Sequence, residues 1–158
     1  HWGTLWVMRF YPPLFFNRVW LQRLEKDHSC AYIKVKKSWL NTNINGTIFG
    51  GTISCAADPW HGVLLYQLIS KRLNEPVQVW VKSSCFRFRR PASRSLYAEA
   101  RITEAELQHF VDGLHAEGKV EYEFEMPFYN KKKDLIAQAY ILIHCRWARG
   151  GYEEAMGF

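Results

Sequence analysis

A chain of 158 residues, 48% hydrophobic and 16% aromatic with no low-complexity segment, has the composition of one globular domain with a substantial core. No run of 18 apolar residues occurs, so no transmembrane helix is expected; the formal charge of +6 is modest for a nucleic-acid binder, and no nucleic-acid motif accompanies it. Cys30, Cys55, Cys85 and Cys145 are widely spaced with no CxxC pair, and read as small buried hydrophobes in a reducing compartment rather than a zinc site.

In chain order, residues 4–16 read as a short helical or irregular segment ended by Pro12-Pro13. It is apolar, but Arg9 and the prolines interrupt it, and it lacks the charged start and small-residue cleavage site of a signal peptide; a cytoplasmic location is expected. Residues 18–26 predict a strand that reaches a turn near Asp27. Residues 30–40 alternate, with Ala31, Ile33 and Val35 on one face and Tyr32, Lys34 and Lys36 on the other, as in a half-buried antiparallel strand. NTNING (41–46) is a dense turn signal. From Gly51 the period lengthens: Ile53, Ala56, Ala57, Trp60, Leu64, Leu65 and Leu68 recur at three and four residues, with Cys55, Val63 and Ile69 apolar between them. A helix apolar nearly all round is a buried one. Lys71 and Arg72 close it, where the helix dipole favours cations.

Residues 77–90 predict a long strand before Pro91, and 95–102 a further one. Residues 103–118 open on the capping-box pattern Thr103-x-x-Glu106 and end near Gly118, as a surface helix does. Residues 119–130 and 134–147 predict a hairpin around the solvated turn Asn130–Asp134. No βαβ alternation and no GxGxxG after a strand occurs, which argues against a doubly wound nucleotide fold. The expected class is α+β: one curled antiparallel sheet of five to six strands around a long central helix, in a single domain over 1–158.

Candidate functional residues gather in GTIFGGTISCAADPW (46–60). Gly50 and Gly51 either let the backbone turn and pack closely on the sheet, or leave helix-start N–H groups open to a ligand oxygen. Asp58-Pro59 suits a helix that breaks and restarts, with aspartate as the cap. Yet Cys55, Ala56, Ala57 and Trp60 surround Asp58 with apolar residues, and a buried carboxylate needs partners or changes its pKa. On an ideal helix Ser54, Asp58 and His61 share one face, which suggests a small polar pocket. FRFRRPASR (86–94) is either a solvated strand end or an anion site. Strand alternation puts Arg87 and Arg89 on one face and Arg90 on the other.

The run Asn43-Ile44-Asn45-Gly46-Thr47-Ile48-Phe49-Gly50-Gly51, with Asp58 nine residues after Phe49, resembles the hotdog-fold thioesterases of the phenylacetate-pathway type. Ala57-Asp58-Pro59, the strand Val79-Trp80-Val81-Lys82 with Arg87-Phe88, and residues 97–107 and 118–125 resemble a less characterised branch of that superfamily. The resemblance covers roughly residues 11 to 147 and implies the hotdog fold. It implies that Asp58 is the catalytic carboxylate, as base or nucleophile, and that the Gly50 N–H and the Asn43 side chain bind the thioester oxygen. Phe49 stands where the phenylacetate-type enzymes carry histidine. With Gly51 it is expected to border the substrate, and Arg87, Arg89 and Arg90 to hold CoA phosphates. The implied activity is hydrolysis of an acyl-CoA or acyl-carrier thioester, with no cofactor and no metal beyond the coenzyme A of the substrate. The implied assembly is a homodimer or a dimer of dimers (a homotetramer), each site drawing Asp58 from one subunit and Asn43 with Gly50 from the other. The alternative is a hotdog module that binds an acyl ligand without turnover.

Overall fold

The computed structural model describes residues 7–148; residues 4–6 of the predicted N-terminal segment and the tail lie outside them. Residues 7–10 are helical, and a second short helix, α1, spans Pro12–Phe16. The first helical stretch stops before Pro12, as expected, with Tyr11 extended, and Pro12 and Pro13 also begin the next helix, because proline's missing N–H is no loss in a first turn and its fixed φ suits it. Strands β1 (Val19–Leu24) and β2 (Cys30–Val35) pair antiparallel, from Val19 against Val35 to Leu24 against Ala31, with a register slip between Leu21 and Arg23. Their turn is tied by Asp27 Oδ1, which accepts from the Ser29 N–H and hydroxyl. Ala31, Ile33 and Val35 are buried, as their alternation predicts.

The predicted central helix exists in two consecutive pieces, α2 (Gly50–Ala57) and α3 (Pro59–Leu73). Between them Asp58 keeps helical dihedrals (φ −57°, ψ −56°) and makes no side-chain cap bond, so it is no N-cap. The ladder lapses because Pro59 has no N–H to offer the Cys55 carbonyl. α3 buries one side, Trp60, His61, Leu64, Leu65 and Ile69, while Gln67, Lys71 and Arg72 are exposed; it is not apolar all round.

The remaining elements are β3 (Val77–Phe88), β4 (Leu96–Arg101), α4 (Glu104–Glu117), β5 (Lys119–Tyr129) and β6 (Leu135–Trp147). Six antiparallel strands run in the order β1-β2-β4-β5-β6-β3, at the upper end of the expected five to six. α3 packs on β3, β4 and β2, so the core lies between this helix and the inner sheet face, where Ile33, Met126, Ile141 and Ile143 are buried with Trp60. β4 and β5 meet only at Tyr97–Tyr129 and Ala98–Phe128, and the sheet opens beyond. The capping box on α4 forms, with Thr103 Oγ1 accepting from Glu106 N–H at 3.2 Å. The lysine run is a hairpin turn: Asn130 Oδ1 accepts from the N–H of Lys132 and Asp134.

Two expectations change. β3 ends at Phe88, not Arg90, and it is an edge strand bonded only to β6. Of the cysteines, Cys30 and Cys145 are buried, Cys55 is half-buried and Cys85 is exposed on that edge. No group of three metal-ligating side chains occurs among the described residues, and no described helix is long and apolar enough to cross a membrane.

Candidate active site

The loop before α2 is held on every side. A short 3₁₀ turn, Trp39–Asn41, buries Asn41, whose Nδ2 donates to the carbonyls of Asn17 (2.9 Å) and Lys36 (3.0 Å). Asn41's carbonyl accepts from Phe49 N–H at 2.8 Å, and the Ile48 N–H donates to the Ala92 carbonyl at 2.9 Å. Within this frame Asn43 N–H donates to the Thr47 carbonyl (2.8 Å). Asn43 Oδ1 accepts three bonds, from the N–H groups of Asn45 (3.0 Å) and Thr47 (3.1 Å) and from Thr47 Oγ1 (3.1 Å). Backbone N–H groups can only donate, so the oxygen's position is forced and the amide nitrogen faces away from the turn. Asn43 Nδ2 has no hydrogen-bond partner among the described residues.

Gly50 opens α2 after Phe49, which has extended-type backbone and no side-chain cap. The N–H groups of Gly50 and Gly51 therefore have no intrahelical acceptor and none elsewhere among the described residues. Both glycines have negative φ, so neither is needed for a left-handed turn. Each instead lies under an aromatic ring. A methyl on Gly50 would stand 3.3 Å from the Phe88 ring, and one on Gly51 would overlap the ring of Phe49. Close packing under rings and uncapped N–H groups are thus both present at these glycines. Phe49 itself is exposed.

A cavity of about 380 Å³ sits against this helix start, lined by Asn43, Thr47, Gly50, Phe88, Arg89 and Arg90 among others. It brings together two of the three predicted catalytic groups and two of the three predicted arginines. The alternation expected for the arginines fails because the strand ends at Phe88. Arg89 and Arg90 both donate their N–H to the Ile136 carbonyl and both line the cavity. Arg90 also pairs with Asp134 at 3.4 Å. Arg87 stays on the strand, its guanidinium 5.2 Å from the centre of the Tyr140 ring, and does not line the cavity.

Asp58 is exposed in the single chain, not buried, and does not line its own chain's cavity. The predicted polar stripe is not one face. Ser54 Oγ donates back to the Gly50 carbonyl at 3.2 Å, while His61 turns into the core, 1% exposed. The His61 ring stacks on Phe124 at 4.6 Å, and its Nδ1 has no partner. Burial holds its pKa down at about 4, so the ring is neutral at pH 7. Cys55 lies near Asp58, and burial first, then that carboxylate, pushes its thiol pKa up. Sequence patterns alone missed Thr47 as the anchor of Asn43, Phe88 as the lid of Gly50, and Asn41 as the buried clamp; the asparagine-rich run signals a turn but not which amide is tied and which is open.

Comparison with known proteins gives the chain relatives at this point. The profile of a family described as Domain of unknown function (DUF4442) matches residues 4–145. No curated protein matches. Among solved structures, a Pseudomonas aeruginosa protein of unknown function described as "Probable Thioesterase" is 19% identical, with 92% of this chain and 95% of that one covered and a TM-score of 0.80. A Haemophilus influenzae thioesterase is 8% identical over 91% and 89%, with a TM-score of 0.66. The Escherichia coli PaaI protein of the phenylacetic acid degradation operon is 12% identical over 94% of both chains, with a TM-score of 0.62. At these identities what is shared is the fold, and this chain has the hotdog fold, as its resemblance implies.

Proposed function

From the premise that this chain belongs to the family described as Domain of unknown function (DUF4442), we propose that it is a thioester hydrolase acting on acyl-CoA or acyl-carrier thioesters. The observation that carries the reading is the cavity wall on which the open amide of Asn43 and the uncapped N–H of Gly50 stand together. Fixed donors at a helix N-terminus suit the negative charge that builds on a thioester oxygen under attack. Solved structures of the same fold described as a thioesterase and as a "Probable Thioesterase" support it further.

In this reading Asp58 takes a proton from water as its oxygen attacks the carbonyl carbon. The carbonyl electron pair moves to the oxygen held by Gly50 N–H and Asn43 Nδ2. The tetrahedral adduct then collapses, the C–S bond breaks, and CoA leaves as a thiolate that takes the proton held by Asp58, which returns to its carboxylate form. The route in which Asp58 itself attacks uses the same donors. In this reading Asp58 comes from a second copy, as the resemblance implies, and its exposure and position outside its own chain's cavity support that. The free side of β3, a strand of 12 residues with one neighbour, is the surface along which two copies pair. Phe49 and Gly51 border the acyl group. The arginines divide by position: Arg89 and Arg90 take CoA phosphates at the cavity, and Arg87 plays a lesser part.

The test is thiol release from a panel of short, long and aromatic acyl-CoAs by the parent and by Asp58→Asn. Turnover by the parent, reduced by about a thousandfold in Asp58→Asn with folding intact, is the expected result. A parent that binds acyl-CoA but releases no thiol from any member would replace this reading with a binding module.

A further inference from the structure

Among the described residues most of the exposed large apolar side chains fall on a few neighbouring segments, with Trp80 of β3 apart from them. Phe10 and Phe16 flank α1, Trp39 and Leu40 form the 3₁₀ turn, and Ile44 and Phe49 belong to the loop that enters α2; all are exposed, Trp39 at 83% and Ile44 at 102%. Three of these segments meet at Asn17. Its carbonyl accepts from Asn41 Nδ2 at 2.9 Å, and its Oδ1 accepts from Thr52 Oγ1 on α2 at 2.8 Å. Cys55 of α2 contacts the Pro13 carbonyl of α1, and Phe49 is bonded to the 3₁₀ turn through Asn41. Exposed Phe88 continues the face over Gly50 to the mouth of the cavity.

Charge follows the same segments. Residues 7–18, 36–50 and 88–91 contain Arg9, Arg18, Lys36, Lys37, Arg89 and Arg90, and not one Asp or Glu. The acidic groups at its border are Asp134, paired with Arg90, and exposed Asp58. The acid-rich run Glu121, Glu123 and Glu125 stands on β5, on the sheet. Exposed aromatic and aliphatic tips set among cations, with no anions between them, are the chemistry of a surface that dips into the headgroup region of an anionic bilayer.

We propose that this face docks on anionic phospholipid membranes, with Trp39, Leu40 and Ile44 entering the interface and Lys36 and Lys37 holding headgroups. A second copy set face to face on Trp39, Leu40 and Ile44 is a poor occupant, because it would bring Lys36 and Lys37 of both copies together, unlike a copy paired along β3. A single-stranded nucleic acid would use rings as stacking platforms but gains little from fully exposed Ile44 and Leu40. Docking does not require turnover at the cavity, so it stands or falls separately from the hydrolase reading.

Sedimentation with vesicles of phosphatidylcholine alone, or mixed with phosphatidylglycerol, tests it. The parent is expected to sediment with phosphatidylglycerol vesicles, to release in high salt, and to be left in solution by phosphatidylcholine alone. The double variant Trp39→Ser/Ile44→Ser, both positions being exposed, is expected to keep its thermal transition and lose vesicle binding, and Lys36→Glu to bind about tenfold more weakly. Brominated acyl chains are expected to quench parent fluorescence more than that of Trp39→Phe. The proposal is overturned if the parent ignores phosphatidylglycerol vesicles, or if the double variant binds them as the parent does. It is overturned in favour of a second copy if the double variant instead loses self-association in light scattering while vesicles are ignored, and in favour of nucleic acid if only an RNA oligonucleotide is bound.

Discussion

His61 carries a proton-linked cost that its neighbours do nothing to relieve. The ring is buried against Phe124, its Nδ1 is unpaired, and burial alone lowers its pKa from 6.5 to about 4. An unfolded chain binds a proton there as pH falls through 6.5, while the folded chain refuses it until about 4. Stability contributed by the neutral ring is therefore present above 6.5 and is lost as pH falls from 6.5 to about 4, by about 3 kcal/mol in all. Replacing the ring with one that cannot titrate removes the loss. In urea unfolding at neutral pH and near pH 4, His61→Phe is expected to show a smaller acid shift than the parent, with its neutral-pH stability unchanged or raised because an unsatisfied nitrogen disappears. An equal acid shift in both proteins would assign the effect to other groups. The same residue shows where residue-level reading stops. The sequence places Ser54, Asp58 and His61 on one helical stripe, but which side of that stripe meets the sheet is settled by Trp60 and Leu64, which pull His61 inward and leave Asp58 in water.

At the scale of elements, periods and caps were legible because each is written locally. The alternation in β2, the capping box of α4 and the asparagine-led hairpin all need only neighbours in sequence. What stayed hidden depends on distant partners. The end of β3 at Phe88 is set by Arg89 and Arg90 turning to a single carbonyl on β6, which alternation cannot foresee. Gly113 is the sharper case. In the middle of α4 it looks like a weak helix former that alanine should improve by about 1 kcal/mol. Yet a methyl there would stand 2.9 Å from Val120 Cβ, at the start of strand β5. That carbon is not the free end of a side chain and cannot swing away. Gly113→Ala is therefore expected to lower stability by about 1–3 kcal/mol, the overpacking cost outweighing propensity. Chemical denaturation decides it, and a stabilised variant would mean that α4 can lift from β5 at little cost. Gly113→Ala should cost less in a Val120→Gly background, which removes the clashing Cβ itself, if the clash is the cause.

For the whole molecule, the question is whether one chain holds a complete site. Asn43 and Gly50 share a cavity, and Asp58 is elsewhere on the same surface. If each site joins Asp58 of one copy to Asn43 and Gly50 of the other, two inactive proteins should repair each other. Asn43→Asp is the right partner variant for Asp58→Asn. Its Oδ1 still accepts from the Asn45 and Thr47 N–H groups, so the loop keeps its ties, while the open donor becomes an acceptor facing the oxyanion. Each variant alone is expected to lose about a hundredfold or more in turnover. In a mixed dimer one site receives both substitutions and the other receives neither. Unfolding and refolding the two together makes half the dimers mixed, so about a quarter of parental turnover should return. No recovery, with mixed dimers confirmed by mass, would mean that each chain builds its site alone, and Asp58 would then have to act on its own chain's Gly50 after a movement of the helix at Pro59. Recovery near a quarter would explain why one sequence sets a carboxylate and a helix breaker between two helices that each bury a side in the core: Asp58-Pro59 presents its acid outward, to the copy that uses it.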